Sequence, residues 1–258
     1  VRLVPFGEKC DVSIINTCTV TAESDRKSRQ MIRRAKKTNP DALIAVMGCY
    51  SQTAPDEVLA IDGVNLVLGT KDKSSVVRLM GTLKQSDKLN AVTSVKDNHT
   101  FEEMHIQRCT DRTRAYIKRQ DGCSQFCSYC IIPYARGPVR SRPESEIEAE
   151  VKKLADAGYK EVILTGIHAA AYGCDLGDTS LGQLLTKLDK IDGIERIRLS
   201  SIEPMTLNRE FVDKIKGCKK LCPHFHISLQ SGCDETLRRM NRHYTTAQFE
   251  DVVNGLRE

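Results

Sequence analysis

Short apolar runs alternate with amphipathic helical stretches along most of this sequence, and this alternation limits the chain to few folds. In the first part, apolar runs of the buried-strand type cover residues 12–16, 43–47 and 65–69. A basic stretch at 24–40 predicts a helix that stops at Asn39-Pro40, and a second helical stretch covers 73–84. Strand–helix–strand alternation predicts a small parallel sheet, which we assign to an amino-terminal domain at residues 1–95.

A second series follows a polar stretch, which we assign as a linker over residues 96–110. Predicted strands cover residues 114–120, 161–165, 196–200 and 225–229. Predicted helices cover residues 145–158, 180–191, 208–217 and 245–258, and two of them begin with capping-box patterns, Ser145 with Glu148 and Thr245 with Gln248. The series predicts an α/β fold in which residues 111–258 form a partial (β/α) barrel of about four units.

The predicted barrel is open, which bears on the extent of the sequence. An open barrel leaves the edge of its last strand facing water, and the sequence starts without Met, at "VRLVPFGEKC". We therefore expect it to be a fragment that lacks the amino-terminal start and a carboxy-terminal part of a longer protein.

The composition is that of an ordinary globular protein. Of 258 residues, 40% are hydrophobic and 28% are charged, and the formal net charge of +5 is compatible with an RNA partner. No apolar run approaches the roughly 18 residues of a membrane-spanning helix, so no membrane partner is expected. Eleven cysteines, an odd number, argue against a disulfide framework and favour a reducing, cytoplasmic location.

Three cysteines form a compact group after the first strand of the second domain. Cys123, Cys127 and Cys130 are separated by three and two residues, and in β/α folds such a segment lies at the edge where chemistry takes place. Structural zinc takes four ligands, and His105 or Cys109 could supply the fourth. A cube of four irons also normally takes four thiolates, so three would leave one iron open to a cofactor or substrate. The spacing alone allows both kinds of site.

A second pair of cysteines lies in the first domain. Cys18 and Cys49 each follow a predicted strand, and the carboxyl ends of parallel strands meet at one crevice of the sheet. Single cysteines are commonly small buried hydrophobic residues, but two at matching strand ends favour a pair of metal ligands. Cys10 precedes a strand and is expected at the opposite edge.

The CxxxCxxC motif after a first strand, with the aromatic Tyr129 just before its last cysteine, resembles that of the radical S-adenosylmethionine enzymes. The resemblance implies that Cys123, Cys127 and Cys130 hold a 4Fe-4S cluster whose open iron binds S-adenosylmethionine and cleaves it to a radical. At the carboxyl face of the barrel, the residues expected to bind the cofactor together with Tyr129 are Gly166, Glu203, Gln230 and Ser231.

Longer stretches are similar to the methylthiotransferases within that group. They are "INTCTVT", "MGCYSQ", "DGCSQFCSYCIIPYARGPVRSRP", "LTGIHAAAYG" and "LQSGCDETLRRMNRHYT", while "PYARGPVRSR" and "LSSIEP" are most similar to the subgroup that modifies threonylcarbamoyladenosine in tRNA. This resemblance implies a second 4Fe-4S cluster held by three cysteines. Cys18 and Cys49 match the second and third, and the first lies upstream of this sequence, so the auxiliary site is expected to be incomplete here.

The expected function is therefore conversion of N6-threonylcarbamoyladenosine, at position 37 in the tRNA anticodon loop, to its 2-methylthio derivative. Arg136, Arg140 and Arg142 follow the cysteine loop and are expected to contact the acidic substrate group. The implied partners are tRNA and an electron donor such as flavodoxin or ferredoxin, while the sulfur donor is not identified. Two alternatives are methylthiolation of isopentenyl-adenosine or of a ribosomal-protein aspartate. A third is a non-catalytic iron–sulfur or zinc RNA-binding protein.

Overall fold

The computed structural model describes residues 2–102, 113–177 and 179–258, and its chain divides into two compact units. The first unit comprises Val1–Asn98 together with Cys130–Gly137, and the second comprises His99–Tyr129 together with Pro138–Glu258. Residues 103–110 of the predicted linker, which include His105 and Cys109, lie outside the described residues. In the described ranges, no helix is long and apolar enough to span a membrane.

The first unit is built on a parallel sheet. Its strands are β1 (Val12–Thr17), β2 (Leu43–Gly48), β3 (Val64–Val67) and β4 (Leu89–Asn90), which lie in that order. Its helices are α1 (Ala22–Thr38), α2 (Cys49–Thr53), α3 (Pro55–Ala60), α4 (Val76–Met80) and, from the returning segment, α5 (Ile132–Arg136). Every neighbouring strand pair is parallel, which confirms the sheet predicted for this part of the chain.

Apolar side chains cover both faces of this sheet, which is why β2 and β3 are almost continuously apolar. One face packs against Ile32 and Ala35 of α1, and the other against Val76 and Met80 of α4. The short strand β4 lies in a polar stretch with little apolar pattern. The side-chain amide of Asn65 holds that stretch, because it donates to the main-chain oxygens of residues 85 and 87 at 3.0 and 3.1 Å.

The second unit is built on an open, curled sheet. Its strands are β5 (Arg114–Asp121), β6 (Arg140–Ser141), β7 (Glu161–Gly166) and β8 (Arg196–Leu199), in the order β6-β5-β7-β8. Its helices are α6 (Glu144–Asp156), α7 (Leu181–Leu188), α8 (Arg209–Ile215), α9 (Asp234–Arg239) and α10 (Thr246–Gly255). Strands β5, β7 and β8 run parallel, and β6 is antiparallel to β5. The partial (β/α) barrel predicted for this unit is confirmed.

The core of the second unit lies between this sheet and its helices. Ile147 and Val151 of α6 and Leu184 and Leu185 of α7 are fully buried against the apolar residues of β5, β7 and β8. The spacing of these residues places them on one face of each helix, as the sequence pattern predicts. The helices therefore fix the strand ends, and with them the loops that leave the carboxyl edge of the sheet.

Two predicted details of this unit are wrong. Residues 225–229 do not form a fourth strand, and the described chain has there a single parallel bridge between Ile202 and Ile227. Around that bridge His226 O accepts from Ile202 N (2.9 Å) and Ser228 N donates to Ile202 O (3.1 Å), while the main-chain oxygens of Ser228 and Leu229 accept from the hydroxyl of Tyr244 at 2.9 and 2.6 Å.

The second wrong detail is the capping box at Ser145 and Glu148. Helix α6 begins two residues earlier than that pattern requires, at Glu144 directly after Pro143, and no side chain caps it. Proline suits this position because its fixed φ precedes the helix and it has no amide hydrogen to satisfy. The capping box of Thr245 and Gln248 at the start of α10 is confirmed.

Candidate functional site

The cysteine loop begins where β5 ends. A β-bulge after Lys118 interrupts the pairing of β5 with β7. The buried side chain of Gln120 then donates from Nε2 to the main-chain oxygens of Asp121 (2.6 Å) and Gly122 (2.7 Å). Gly122 has φ +73°, a conformation that favours glycine. The chain therefore leaves the sheet immediately before Cys123.

The loop is held by residues 239–242, which we call the anchor segment. Hydrogen bonds run from Ser128 N to Met240 O (3.1 Å), from Ser128 Oγ to Arg239 O (3.0 Å), and from Asn241 Nδ2 to Gln125 O (3.3 Å) and Phe126 O (3.0 Å). Phe126 and Asn241 both have positive φ, +48° and +54°. Such backbone costs free energy unless its surroundings fix it, and here each of the two residues helps to hold the other.

Arg242 completes the contact between the anchor segment and the loop. Its Nη1 donates to the Sγ of Cys127 at 3.1 Å, and its Nη2 pairs closely with the carboxylate of Glu203. Its guanidinium carbon lies 5.1 Å from the centre of the Tyr244 ring. Burial alone would lower the pKa of Arg242, but the hydrogen bonds to Glu203 and Cys127 outweigh it and raise that pKa. The residue is a buried, permanent cation beside a thiol.

A cavity of about 410 Å³ opens beside these residues in the second unit. Its lining includes Gln125, His168, Tyr172, Glu203, Arg242 and Tyr244. This volume suits a ligand of nucleoside or drug size, and such pockets typically combine an apolar wall with a few polar groups. The cavity therefore has the size and the mixed lining of a small-molecule site.

His168 contributes a neutral ring to this cavity. Burial lowers its pKa, and within the described residues its Nδ1 has no hydrogen-bond partner. The ring is positioned through its main-chain nitrogen, which donates to Gln120 Oε1 at 2.9 Å. A desolvated polar atom without a partner costs free energy in the folded chain.

The two thiols of the first unit follow neighbouring strand ends. Thr17 of β1 pairs with Gly48 of β2, so Cys18 and Cys49 occupy equivalent positions one residue beyond that pair. Cys18 is exposed, and Cys49 is buried as the first residue of α2. Arg136 of α5 donates from Nε to the Sγ of Cys49 at 3.1 Å. The side chain of Cys10 lies at the other end of β1, near Ser13.

The thiols fit iron–sulfur chemistry, although they are not gathered in advance. In the part of the chain that the structure describes, no three His, Cys, Asp or Glu side chains form a ready metal-binding group. Cys127 and Cys49 nevertheless each accept a hydrogen bond from an arginine. Cysteine sulfur is the usual protein ligand of iron–sulfur clusters. Cys123 and Cys130 are half-buried, and Cys130 opens the segment grouped with the first unit.

The residues predicted to bind S-adenosylmethionine occupy different positions. Glu203 lines the cavity, and Tyr129 is half-exposed, with burial and the neighbouring Cys127 raising the pKa of its hydroxyl. Among the described residues, Gly166, Gln230 and Ser231 are not part of the cavity lining. Gly166 instead packs against the side chain of Gln120 at the end of β7.

The three arginines predicted to contact substrate are engaged within the chain. Arg140 is buried, with Nη2 3.4 Å from Asp121 Oδ2. Arg142 is buried too, and it pairs with Glu146 and Glu150 of α6. Arg136 donates to the thiol of Cys49. Their role toward a substrate stays a prediction.

The sequence analysis did not find the anchor segment. Cys127 and Arg242 are 115 residues apart, and the stretch around Arg242 has no local pattern that points to the cysteine loop. A sequence signal for this segment is the polar and aromatic stretch "MNRHY" at residues 240–244. This stretch follows α9 and does not continue the apolar face of that helix.

Two family models match the chain. The Radical SAM superfamily matches residues 117–258, and the Uncharacterized protein family UPF0004 matches residues 1–69. The matched ranges coincide with the sheet of the second unit and with most of the sheet of the first.

Relatives of known function are tRNA-modifying enzymes. The chain is 44% identical to threonylcarbamoyladenosine tRNA methylthiotransferase MtaB of Bacillus subtilis, over 98% of this chain and 56% of that protein. The corresponding protein of Aquifex aeolicus is 42% identical over 100% of this chain and 63% of its own length. A tRNA-2-methylthio-N(6)-dimethylallyladenosine synthase of Clostridium botulinum is 35% identical over 97% of this chain and 57% of its own length. The chain thus spans about 56–63% of the length of these relatives.

A solved structure shares the fold. The radical S-adenosylmethionine methyltransferase TsrM of Kitasatospora setae, bound to tryptophan and an S-adenosylmethionine analogue, aligns with a TM-score of 0.67 at 16% identity. The alignment covers 94% of this chain and 53% of TsrM. At that level of identity the likeness concerns the fold.

Proposed function

The chain belongs to the radical SAM superfamily, and on that premise we propose that it is part of a methylthiotransferase that modifies threonylcarbamoyladenosine in tRNA. The observation that carries the proposal is the presence of two cysteine groups, one at the carboxyl edge of each sheet. An enzyme with a single radical cluster needs only the cysteine loop that follows β5. A sulfur-inserting enzyme also has a use for Cys18 and Cys49, because a sulfur atom must be presented to the substrate.

In the cysteine loop, Cys123, Cys127 and Cys130 would hold the radical-generating cluster. A 4Fe-4S cluster with one open iron, bound to S-adenosylmethionine, supplies reductive cleavage of the cofactor and a carbon-centred radical. Glu203 and His168 would contact polar groups of the cofactor from the cavity wall, and Tyr129 would flank its bound part. The anchor segment keeps Cys127 and its neighbours in place.

In the first unit, Cys18 and Cys49 would be two of the ligands of an auxiliary cluster. Arg136 would hold the Sγ of Cys49 in place by the hydrogen bond already present. The substrate hydrogen to be replaced is an adenine ring C–H, which is too weakly acidic for a general base. The proposed chemistry therefore depends on abstraction of this hydrogen by a radical, and the protein residues bind and orient the substrate and the cofactor.

The substrate assignment rests on the relatives. Enzymes named for threonylcarbamoyladenosine are 44% and 42% identical to this chain, against 35% for the dimethylallyladenosine synthase. A single-stranded anticodon loop allows the base to be splayed out toward such a cavity. A tRNA substrate would also place the enzyme in the cytoplasm, with a flavodoxin or ferredoxin as electron donor.

The radical step is tested on the 258-residue chain after anaerobic reconstitution with iron and sulfide. Under strong reductant the wild type should release 5′-deoxyadenosine from S-adenosylmethionine. Cys123→Ala, Cys127→Ala and Cys130→Ala should each abolish release, whereas Cys233→Ala, which changes an exposed thiol of the same unit, should leave it unchanged. Equal release from all five proteins would refute the assignment of the cluster ligands.

The substrate is tested on the full-length protein that contains this chain. Purified enzyme is incubated with tRNA carrying either threonylcarbamoyladenosine or dimethylallyladenosine, and the nucleosides are analysed by mass. We expect a methylthio product from the first tRNA. A product only from the second tRNA, or only from a ribosomal protein, would replace the proposed substrate while leaving the radical step in place.

A further inference from the structure

Arg242 joins two parts of the site that the cysteine motif does not connect. One nitrogen of its guanidinium contacts the thiol of Cys127, and another contacts the carboxylate of Glu203 on the cavity wall. We propose that Arg242 is a positioning residue that raises the reduction potential of the cluster bound at Cys127, and that Glu203 limits this effect. The inference rests on the proposed function, since it assumes an iron–sulfur cluster at the loop.

The geometry fits a fixed electrostatic contact. The side chain of Arg242 is only 5% exposed, so water screens its charge weakly. A planar guanidinium can direct separate N–H groups to a sulfur and to a carboxylate at once, which a lysine ammonium does less specifically. The two contacts use Nη1 and Nη2 respectively, so neither excludes the other.

The position of Arg242 is further fixed by its neighbours in the chain. Asn241 is tied to the cysteine loop through two main-chain oxygens. On the other side, the ring of Tyr244 lies under the guanidinium, and its hydroxyl donates to the main-chain oxygens of Ser228 and Leu229. Arg242 therefore cannot move away from Cys127 without breaking contacts on both sides.

The expected direction follows from charge. Reduction adds one electron to the cluster, and a cation or hydrogen-bond donor at a ligand sulfur stabilises the more negative state. Arg242 therefore raises the potential and eases reduction. Glu203 places a negative charge on the other side of the same guanidinium, so it works against Arg242. Loss of the arginine and loss of the carboxylate are predicted to shift the potential in opposite directions.

The test is a redox titration of the reconstituted 258-residue chain, followed by electron paramagnetic resonance, with iron content measured in parallel. In Arg242→Gln the reduced-to-oxidised ratio at a fixed potential should fall about tenfold, equivalent to a shift of about −59 mV for a one-electron couple. Arg242→Lys should shift it less in the same direction, and Glu203→Gln should shift it upward. Arg239→Gln is the matched control, because it removes an equal charge from an exposed side chain of the anchor segment, and its potential should equal that of the wild type.

The outcomes separate this inference from the proposed function. A wild-type chain that takes up no cluster overturns the function itself. A wild-type cluster whose potential is the same in Arg242→Gln, Arg242→Lys and Glu203→Gln overturns the inference alone, and so do shifts of one sign in all three. If Arg242→Gln fails to fold, opposite shifts in Arg242→Lys and Glu203→Gln support the inference, and any other pair of results overturns it.

Discussion

Arg119 is a fully buried cation in the bulge of β5. Its Nη2 donates to Ala169 O at 3.3 Å, but within the described residues Nε and Nη1 have no hydrogen-bond partner. Burial lowers the pKa of Arg119 to about 10. A desolvated cation with so few partners costs free energy in the folded state.

Replacing this side chain should therefore stabilise the protein. We expect Arg119→Met to raise the free energy of unfolding by about 1 to 3 kcal/mol, because methionine fills similar space without unpaired donors. Urea denaturation measures the change. Arg114→Met, an exposed position of the same strand, is the control and should change little. Destabilisation by Arg119→Met would mean that a bound group satisfies the guanidinium.

The same residue predicts a pH dependence. Burial lowers the pKa of Arg119 to about 10 in the folded chain, below its ordinary value in the unfolded chain, so above about pH 10 the unfolded chain binds more protons. The stability that the residue contributes then rises with pH. The advantage of Arg119→Met over the wild type should accordingly shrink above pH 10, and an advantage that stays constant to pH 12 would contradict this account.

Gly48 forms the turn between β2 and the helix that begins at Cys49. Its φ is +110°, and a Cβ there would lie 2.4 Å from the main-chain oxygen of Thr17. Gly7 has a similar φ of +102° but open space around it. We expect Gly7→Ala to cost about 1 to 2 kcal/mol, the left-handed strain alone. Gly48→Ala should cost about 2 kcal/mol more. If urea denaturation gives equal losses of stability for Gly7→Ala and Gly48→Ala, the backbone around Thr17 has moved to relieve the close contact.

At the scale of elements, the anchor segment and the cysteine loop should act as one unit of local stability. Asn241→Gly keeps the positive φ accessible but removes the side-chain donors to Gln125 and Phe126. We expect faster hydrogen exchange at the amide of Ser128, which donates to Met240 O. Asp72→Gly changes another residue with positive φ, 58°, in the first unit, and should leave that amide unaffected. Unchanged exchange in Asn241→Gly would show that the loop is rigid by itself.

The elements that sequence predicts well are those defined by their own residues. Strands β1, β2 and β7 carry continuous or alternating apolar runs, and the cap of α10 needs only Thr245 and Gln248. Strand β4 is two residues long and depends on Asn65 from elsewhere in the chain. Residues 225–229 read as a strand, but the hydroxyl of Tyr244, from a later segment, takes their carbonyl groups. Contacts distant in sequence override the local pattern in both places.

At the scale of the whole molecule, the candidate site also combines residues that are close in sequence with residues that are distant. Cys123, Cys127 and Cys130 are close in sequence, so their spacing predicts a metal-binding loop without a structure. Arg242 and Arg136 contact the thiols of Cys127 and Cys49 from 115 and 87 residues away, and no local pattern pairs either arginine with its cysteine. A motif therefore predicts candidate ligands, while the arginines that contact them become evident only in the fold.

The two cysteine groups should also differ in the iron they retain. Among the described residues, the loop offers three closely spaced cysteines and the other site offers Cys18 and Cys49, whereas a cubane cluster needs more than two thiolates. After reconstitution, Cys123→Ala should lose most of the bound iron, and Cys18→Ala should lose little. Iron analysis with Mössbauer spectra measures this, and two fully occupied cubane clusters in the wild type would indicate a further ligand.

The distance between loop and anchor segment has a consequence for biosynthesis. The ribosome synthesises the chain from its amino terminus at about 5 to 20 residues per second, so Arg242 is added about 6 to 23 s after Cys127. Throughout that interval the nascent thiols have neither their arginine nor the hydrogen bonds that shape the loop. On the proposed function, a cluster inserted during that interval would form at cysteines that Arg242 does not yet contact, whereas a cluster inserted later would form on the completed loop.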